Sequence, residues 1–346
     1  MYIGSSTSKQ MGRLMQDQRQ YCFRGGVLLL LAILAAVSVS AHPSRAGDAF
    51  TGIPAGGLEV SNTRDIAVQR QILIINPGII TSEYVLRNTS KQTVDAVMSF
   101  QAPPYSVGHA FDPKGATDLG PAPRLNYFDF SAQVGHTLIR LKHEARAYIF
   151  DPIVGDRREV TQMLEKAGVP LLVDRGALKT AIDHLPPLKR RALISAGALR
   201  VVKDVTVPTW ELATRFYWDQ TFDPGETLKA NFEYHPINSN GIFSLDDLDE
   251  ERYCLSNWGR KRVEELTAEK IQSGRPLFFH GLTYKLRNPT QGQGPIAEFN
   301  LKIVPGPNTQ VLSFCQYPLR YIDDETLGYV RKDFTPHGDI DLLFVY

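Results

Sequence analysis

The sequence predicts a mainly β protein, in which antiparallel sheets pack as a sandwich and a short two-helix insertion interrupts the strands. Two observations support this fold class. Short segments alternate apolar and polar residues at the period of strands, with turn residues between them. Between residues 156 and 202 the apolar period becomes helical. Repeated short strands with turn signals are typical of sandwiches.

The N-terminus carries an export signal. Val27 to Ala41 is an apolar and small-residue run preceded by Arg13, Arg19 and Arg24. With about fifteen residues, the run is shorter than the about 20 that span a bilayer. We expect residues 1–41 to be a signal peptide for the general secretory route, with Ala46 as a second cleavage point. The mature chain is then periplasmic or secreted and has no membrane span; the alternative is a membrane anchor.

Charge and cysteines narrow the partners and the compartment. The formal net charge is +1, whereas binding phosphates requires a clear basic excess, so nucleic acid is not expected as a partner. Signal cleavage leaves Cys254 and Cys315. In an oxidising compartment this pair favours a disulfide, which the chain-entropy model values at about 4 kcal/mol. The alternative is two separately buried thiols.

Residues 48–155 are predicted to form an N-terminal β-sandwich region. Apolar residues alternate along two of its strands, at Ile66, Val68, Ile72 and Ile74 and at Val94, Ala96, Met98 and Phe100. Asn76-Pro77-Gly78 is a turn signal after the first of these strands.

Residues 156–205 are predicted to be the helical insertion. One helix includes Val160 to Ala167 and ends at Gly168; a second opens at Pro186-Pro187 and ends before Gly197. The second helix carries Lys189, Arg190 and Arg191. This basic patch indicates either a lipid or phosphate contact or, more commonly, a solvated helix face.

Residues 206–346 are predicted to form a C-terminal β-rich region built around a hairpin from Thr209 to His235. Apolar residues alternate on both strands, and Asp223-Pro224-Gly225 between them suits a type II turn. Trp210 and Trp218 alternate in phase with Leu212 and Phe216, so we expect both tryptophans in the core.

The acidic stretch from Ser244 to Glu251 has two interpretations. Its carboxylates are of the type that binds calcium, although the spacing of an EF-hand is absent. A helix N-terminus capped by Ser244, with Asp247 three residues on, explains the same residues. A charged helix from Arg260 to Gln272 is predicted to follow, ended by Gly274.

No motif for nucleophilic, zinc-dependent or phosphate-binding catalysis is present, and the sequence predicts no metal site and no cofactor. A carboxylate pair in a β-fold remains possible for a hydrolase. Its best location is the polar side of the predicted hairpin, where Glu211, Asp219 and Glu233 accompany Tyr217. More commonly, such residues form cross-strand pairs on a solvated strand face.

Aromatic side chains near loops are the candidates for a binding surface. Tyr105, Trp258, His280 and Tyr284 fall in or beside predicted loops. Rigid rings provide contact area at little cost in conformational entropy, as in the loops of other secreted sandwiches.

Several motifs resemble a bacterial secreted family known as domain of unknown function 4424. Gly294 to Leu301, Ser313-Phe314-Cys315 and Lys332 to Pro336 with Asp339 to Leu342 are similar to its closing motifs. Similar upstream landmarks are Ala55 to Leu58, Arg87 to Ser90, Phe216 to Phe222 and Tyr253-Cys254. Asn288 to Gln293 lacks a tryptophan expected there. The resemblance implies a periplasmic or secreted β-rich protein, with no established activity, catalytic residue or cofactor.

We therefore expect a non-catalytic envelope protein that binds another protein or a surface glycan. The alternative is a periplasmic hydrolase that uses a carboxylate pair in a cleft of the β-fold. A cleft holding two carboxylates of raised pKa would favour the hydrolase, whereas an exposed aromatic surface would favour binding.

Overall fold

The computed structural model describes residues 57–61, 64–111, 125–151, 155–171, 174–236, 239–246, 248–290 and 294–346. The predicted signal peptide, residues 1–41, lies outside these ranges, as do Asp247 and residues 291–293. Along the part of the chain that is described, no helix is long and apolar enough to span a membrane.

Strands dominate the described residues, as predicted. The strands are β1 Leu58–Ser61, β2 Ile66–Asn76, β3 Ile79–Asn88, β4 Val94–Gln101, β5 Tyr105–Ser106, β6 Ser131–Val134, β7 Thr137–Leu138, β8 Lys142–Asp151, β9 Asp156–Glu159, β10 Leu199–Val202, β11 Val205–Pro208, β12 Glu211–Phe222, β13 Thr227–Tyr234, β14 Ser239–Ile242, β15 Phe278–Tyr284, β16 Ile296–Ile303, β17 Val311–Phe314, β18 Arg320–Tyr321, β19 Leu327–Phe334 and β20 Ile340–Val345. The helices are α1 Thr161–Ala167, α2 Arg175–Asp183, α3 Pro187–Ser195, α4 Glu250–Tyr253 and α5 Asn257–Gln272.

The strands form three sheets and one separate hairpin. The eight-stranded sheet has the order β18-β19-β16-β2-β3-β13-β6-β7. The six-stranded sheet has the order β1-β4-β12-β8-β9, with β5 also paired to β12, and the four-stranded sheet has the order β14-β15-β20-β17. Strands β10 and β11 pair only with each other in the described chain. Pairing is antiparallel except between β2 and β16, which run parallel.

The two larger sheets pack face to face around the main core, a continuous cluster of buried side chains from both sheets. Aromatic rings from opposite sheets meet in it: the ring centroids of Trp218 and Phe232 are 5.8 Å apart, and those of Phe100 and Tyr234 are 5.1 Å apart. Trp210 is also fully buried here, so the prediction that both tryptophans belong to the core is confirmed.

The predicted hairpin from Thr209 to His235 is wrong. Strand β12 pairs with β4, β5 and β8 in the six-stranded sheet, whereas β13 pairs with β3 and β6 in the eight-stranded sheet. The turn itself forms as expected, because Glu226 N donates to Asp223 O at 3.0 Å and Gly225 adopts φ 71°. The chain therefore crosses between the sheets, and the apolar faces of the two strands oppose each other across the core.

The predicted inner face of β2 is right only at its start. Ile66 and Val68 are buried, but the pairing with β3 shifts between Val68 and Arg70. A bulge of this kind reverses the faces that follow it. Gln71, Leu73 and Ile75 point inward, whereas Ile72 and Ile74 are only half-buried. The Gln71 amide is satisfied in part by donating to Tyr84 Oη at 2.9 Å.

Both helices predicted in the insertion form, and Gly168 ends α1 with φ 86°. A third helix, α2, was not predicted; Asp174 caps it by accepting a hydrogen bond from Ala177 N at 2.7 Å. Strands of the two predicted β-regions share both large sheets. The domain boundaries at residues 156 and 206 stay a prediction.

The two faces of the four-stranded sheet pack against different partners. Residues on one face, such as Leu342 and Phe344, join the main core, and α5 covers the other face. The small core lies on the other side and consists of Phe243, Tyr253, Val263, Leu266, Leu277, Phe279, Val311, Leu343 and Val345.

One interpretation of the acidic stretch required a helix capped by Ser244, and this helix does not form there. The helix that follows, α4, begins at Glu250, and Asp249 caps it by accepting from Arg252 N at 3.1 Å. The next helix, α5, begins three residues before the predicted Arg260, behind the cap Ser256, and ends at the predicted Gln272.

Candidate functional site

Three predicted site residues lie on the outer face of the six-stranded sheet. Glu211, Tyr217 and Asp219 alternate with buried residues of β12. Lys142 Nζ lies 2.5 Å from Asp219 Oδ2, and Arg157 Nη2 lies 2.5 Å from Glu211 Oε2. The hydrogen bond to Asp219 raises the pKa of Lys142. Both carboxylates are therefore partnered by cations on a solvated face.

Tyr217 is flanked by two cations. Lys142 Nζ and Arg215 Cζ each lie 5.9 Å from the centre of its ring. At an exposed position such a contact is worth about 0.5–1 kcal/mol. Cross-strand pairing, one of the two predicted interpretations, accounts for these contacts.

The structure does not bring Glu233 to this group. Glu233 lies on β13 in the eight-stranded sheet, and its side chain points to solvent on the opposite side of the sandwich from Tyr217. Glu211 and Asp219 are eight residues apart on one strand, which at 3.3 Å per residue is about 26 Å. The carboxylates of a glycoside hydrolase are separated by about 5–10 Å. These three residues therefore do not form such a pair.

His280 lies on β15 near the end of the four-stranded sheet. Its Nε2 and Tyr346 Oη are 2.7 Å apart, and the two rings meet edge to face with centroids 5.0 Å apart. Burial lowers the pKa of this half-buried histidine. Tyr105 and Tyr284, also expected near the surface, are fully buried; both belong to the main core, so their prediction as surface aromatics is wrong.

Trp258 is an exposed aromatic, as expected, and it borders a hollow of about 310 Å³. It sits in the first turn of α5, behind the cap in which Ser256 Oγ accepts from Gly259 N at 3.0 Å. We call this hollow the aromatic cleft. It is lined by Trp258, Pro305, Thr309, Gln310, Leu312, Phe314, Tyr317, Leu319, Tyr321 and Leu327.

The aromatic cleft lies where two sheets end. Strand β17 is the last strand of the four-stranded sheet, β18 is the last strand of the eight-stranded sheet, and the chain passes directly from one to the other. Tyr317, in this connection, stacks on Tyr329 with centroids 4.8 Å apart and packs edge to face on Phe334. Burial raises the pKa of Tyr317. Stacked rings thus form a rigid wall.

A disulfide fixes one end of this wall. Cys254 follows α4 and Cys315 follows β17, and their Cα atoms are 5.1 Å apart in the bridge. The predicted disulfide is confirmed. Because Trp258 lies four residues after Cys254, the bridge also holds the start of α5 near β17.

Sequence reasoning missed most of the cleft. It did not select Tyr321, which is 73% exposed, or Tyr317. Tyr321 precedes the acidic turn Asp323 to Glu325, and an aromatic beside a polar turn is the only sequence signal that marks it. Its proximity to Trp258 depends on long-range packing.

The basic patch on α3 is mainly structural. Lys189 Nζ donates to the carbonyl of Lys166 at 3.0 Å, at the end of α1, and Arg190 donates to the carbonyls of Ile182 and Asp183 at 2.9 Å, at the end of α2. Cations are favourable at helix C-termini. A groove of about 700 Å³ lies between α1 and α3, with Met163, Ala192 and Leu193 in its lining.

In the described ranges, no group of three or more histidine, cysteine, aspartate or glutamate side chains is placed to hold a metal ion. The acidic stretch keeps Asp249 and Glu250 in local contacts: Asp249 caps α4, and Glu250 pairs with Arg260. Asp247 lies outside the described residues.

Fold and site define a class: a mainly antiparallel β protein with an exposed aromatic cleft at the meeting point of two sheet edges. The chain belongs to the family described as domain of unknown function (DUF4424), whose model matches residues 46–343. The family resemblance noted in the sequence is confirmed.

No curated protein matches the chain. A crystal structure described as a "putative nutrient binding protein" from Legionella pneumophila subsp. pneumophila str. Philadelphia 1 is similar at 11% identity and a TM-score of 0.41. The match covers 85% of this chain and 72% of that one.

Proposed function

We propose that this protein is a non-catalytic protein of the bacterial envelope, periplasmic or secreted, that binds another protein through the aromatic cleft. The location is supported by the apolar N-terminal run at Val27 to Ala41 and by the Cys254–Cys315 disulfide, which persists in oxidising compartments.

One observation carries the binding role. Trp258 and Tyr321 are 67% and 73% exposed, and both border the same hollow. Tryptophan and tyrosine are enriched among the few residues that dominate protein interfaces, especially around pockets that fill on binding. The rigid wall behind them, including Tyr317, lowers the conformational entropy lost on association.

The exposed lining of the cleft contains polar and apolar surface in similar amounts, and we propose a protein side chain rather than a glycan as its occupant because the polar side chains of Thr309 and Gln310 already have partners. Apart from its rings and aliphatic side chains, the cleft is lined by Thr309 and Gln310. Thr309 Oγ1 already donates to the carbonyl of Pro305 at 2.6 Å, and Gln310 Oε1 accepts from Arg262 at 3.4 Å. A sugar carries many hydroxyl groups, and each one desolvated without a partner costs about 1–3 kcal/mol. An apolar anchor has no such requirement.

The test uses the exported, oxidised chain and a library of random twelve-residue peptides displayed on phage. Selected peptides are synthesised and their Kd values measured with wild type, Trp258→Ala, Tyr321→Ala and Phe150→Ala. Phe150 is the matched control, because it is 68% exposed on a different surface, the outer face of the six-stranded sheet.

We expect Trp258→Ala and Tyr321→Ala each to weaken binding by about 30-fold, the loss of about 2 kcal/mol that marks an interface hot spot. Phe150→Ala should leave the Kd unchanged. Equal affinities for all four proteins would contradict the proposal. A glycan array probed with the same proteins covers the other partner class: Trp258-dependent glycan binding without peptide binding would replace the protein partner by a glycan.

A further inference from the structure

We infer that the partner contributes an extended segment, which pairs as an additional strand with the free edge of β17 and places an apolar side chain in the aromatic cleft. This inference rests on the proposed function and specifies the kind of partner: a peptide segment in β conformation rather than a helix or a folded surface.

The position of β17 in its sheet leaves one side of the strand without a neighbouring strand in the described chain. Strand β17 ends the four-stranded sheet and, among the described strands, pairs with β20 alone. In an antiparallel edge strand, alternate backbone N–H and C=O groups point away from the neighbouring strand. A peptide that aligns with such an edge gains main-chain hydrogen bonds, and pockets for its alternate side chains provide specificity.

The amino-acid composition of β17 also permits the addition of a strand. Natural proteins protect exposed edge strands with charged residues, proline or bulges. Strand β9, at the edge of the six-stranded sheet, follows this rule, because all four of its residues, Asp156 to Glu159, are charged. Strand β17 has the sequence Val-Leu-Ser-Phe and carries no charge. The two edge strands are equally short, with four residues each, but they differ in charge, which is one of the properties that prevent strand addition.

The edge strand β17 also forms part of the aromatic cleft. Leu312 and Phe314, on one face of β17, line the aromatic cleft together with Gln310 just before the strand. Side chains on neighbouring strands point to the same face at matching positions. Every second side chain of an added strand therefore lies on the face on which Leu312 and Phe314 line the aromatic cleft.

Acidic side chains beside the cleft indicate the charge of the partner segment. Asp323, Asp324 and Glu325 follow Tyr321 closely, and all three are exposed. The backbone amide of Glu325 donates to Asp323 and lowers the pKa of Asp323, so this carboxylate is ionised at neutral pH. Opposite charges across an interface raise the association rate and fix orientation. The segment therefore carries a lysine or arginine on the side of this turn.

The test uses one peptide obtained from the phage selection on the oxidised chain. Two derivatives are made, N-methylated at either the odd or the even positions, which removes alternate backbone donors. Affinities are measured for both, and hydrogen exchange of the β17 amides, Val311 to Phe314, is compared with and without the unmodified peptide. Asp324→Asn with Glu325→Gln tests the charge contact, leaving the turn contact of Asp323 in place.

Strand addition predicts that one methylated series loses at least about 30-fold in affinity, from two or more lost hydrogen bonds at about 1 kcal/mol each, while the other keeps most of it. It also predicts slower exchange within β17 and, at low salt, a loss of about three- to fivefold in affinity with the double substitution.

Binding that depends on Trp258 but lacks both the alternation and the slower exchange would overturn strand addition and leave the proposed function intact. If no selected peptide depends on Trp258, the proposed function fails and this inference fails with it. An unchanged affinity for the doubly substituted protein would remove the basic residue from the partner while the strand remains.

Discussion

The main core and the small core are stabilised in different ways. The main core lies between two large sheets and includes aromatic residues from strands far apart in sequence, such as Phe100, Trp218 and Tyr234. The small core holds nine buried residues between α5 and one face of the four-stranded sheet. The small core is bordered by the Cys254–Cys315 disulfide and by the Arg252–Asp341 pair, the least exposed ion pair among the described residues.

Both of these additional links attach α4. Arg252 donates to Asp341 Oδ1 from Nε and Nη2, at 3.0 and 2.9 Å, and to Thr283 Oγ1 at 2.9 Å. Two residues later, Cys254 is bridged to Cys315. A large core can therefore be stabilised mainly by apolar burial, whereas a small one needs additional constraints, as small domains do in general. The aromatic cleft borders the region stabilised by these links.

The largest effect should come from truncating the main core. Trp210 is fully buried, so Trp210→Ala should lower the free energy of unfolding by about 3–5 kcal/mol through lost burial and the cavity it creates. Urea denaturation followed by far-UV circular dichroism measures this. Trp258→Ala is the matched control, with a change below about 0.5 kcal/mol. Similar losses for the two variants would contradict the assignment of the main core.

Removal of the disulfide should affect the small core selectively. The chain-entropy model assigns about 4 kcal/mol to a bridge across 61 residues. In a Cys254→Ser, Cys315→Ser variant, we expect amide exchange to accelerate most at Leu343 and Val345, and least at Phe232 in the main core. Equal acceleration at all three positions would show that the two cores unfold as one unit.

Loss of the partly buried ion pair should have a smaller effect. Arg252→Met leaves Asp341 without its cation, and we expect a destabilisation of about 2 kcal/mol, reduced from the fully buried case because both side chains are about one-fifth exposed. The control is Arg262→Met, since Arg262 pairs with Glu265 and Glu269 on the more exposed surface of α5. Thermal melting compares the two. An equal effect would mean that burial of the pair is unimportant.

The smallest effect concerns His280. Burial lowers the pKa of this histidine, so between its folded pKa and the unfolded value near 6.5 the unfolded chain binds more protons. Stability from this group is present above pH 6.5 and is lost as the pH falls through the folded pKa. We expect about 0.5 kcal/mol, because a half-buried group is screened by solvent.

The measurement is the free energy of unfolding of wild type and His280→Gln at pH 7.5 and pH 5. The variant should lose less stability than wild type on acidification. His136→Gln, at an exposed position, controls for the substitution. Parallel pH dependences of wild type and His280→Gln would exclude this role of the histidine.

The sequence predicted local faces better than their partners. Along β12 and β13 the buried residues were identified correctly, because alternation depends only on the strand period. The sheet that each strand joins was not, because a tight turn and two apolar faces satisfy a hairpin and a crossing between sheets equally well. This error placed Glu233 beside Tyr217, whereas the main core separates them.

Other errors have equally local causes. The bulge after Val68 carries no strong sequence signal, so the later face of β2 was inverted. The helix α2 was missed because its N-terminal cap, Asp174, was not recognised as a start signal. In the cleft, Trp258 was predicted from its position near a loop. Tyr317 and Tyr321 were not, because their juxtaposition with Trp258 arises from the meeting of two sheet edges.

The parallel pairing of β2 with β16 determines when the eight-stranded sheet can be completed. Near these strands, Asn76 Nδ2 donates to the carbonyl of Val304, 228 residues further along the chain. At a synthesis rate of about 5–20 residues per second, the partner of β2 emerges from the ribosome roughly 11 to 46 s after β2 itself. During that interval β2 is an uncovered edge that includes Ile72 to Ile75. The nascent chain must therefore be kept from aggregating for most of its own synthesis.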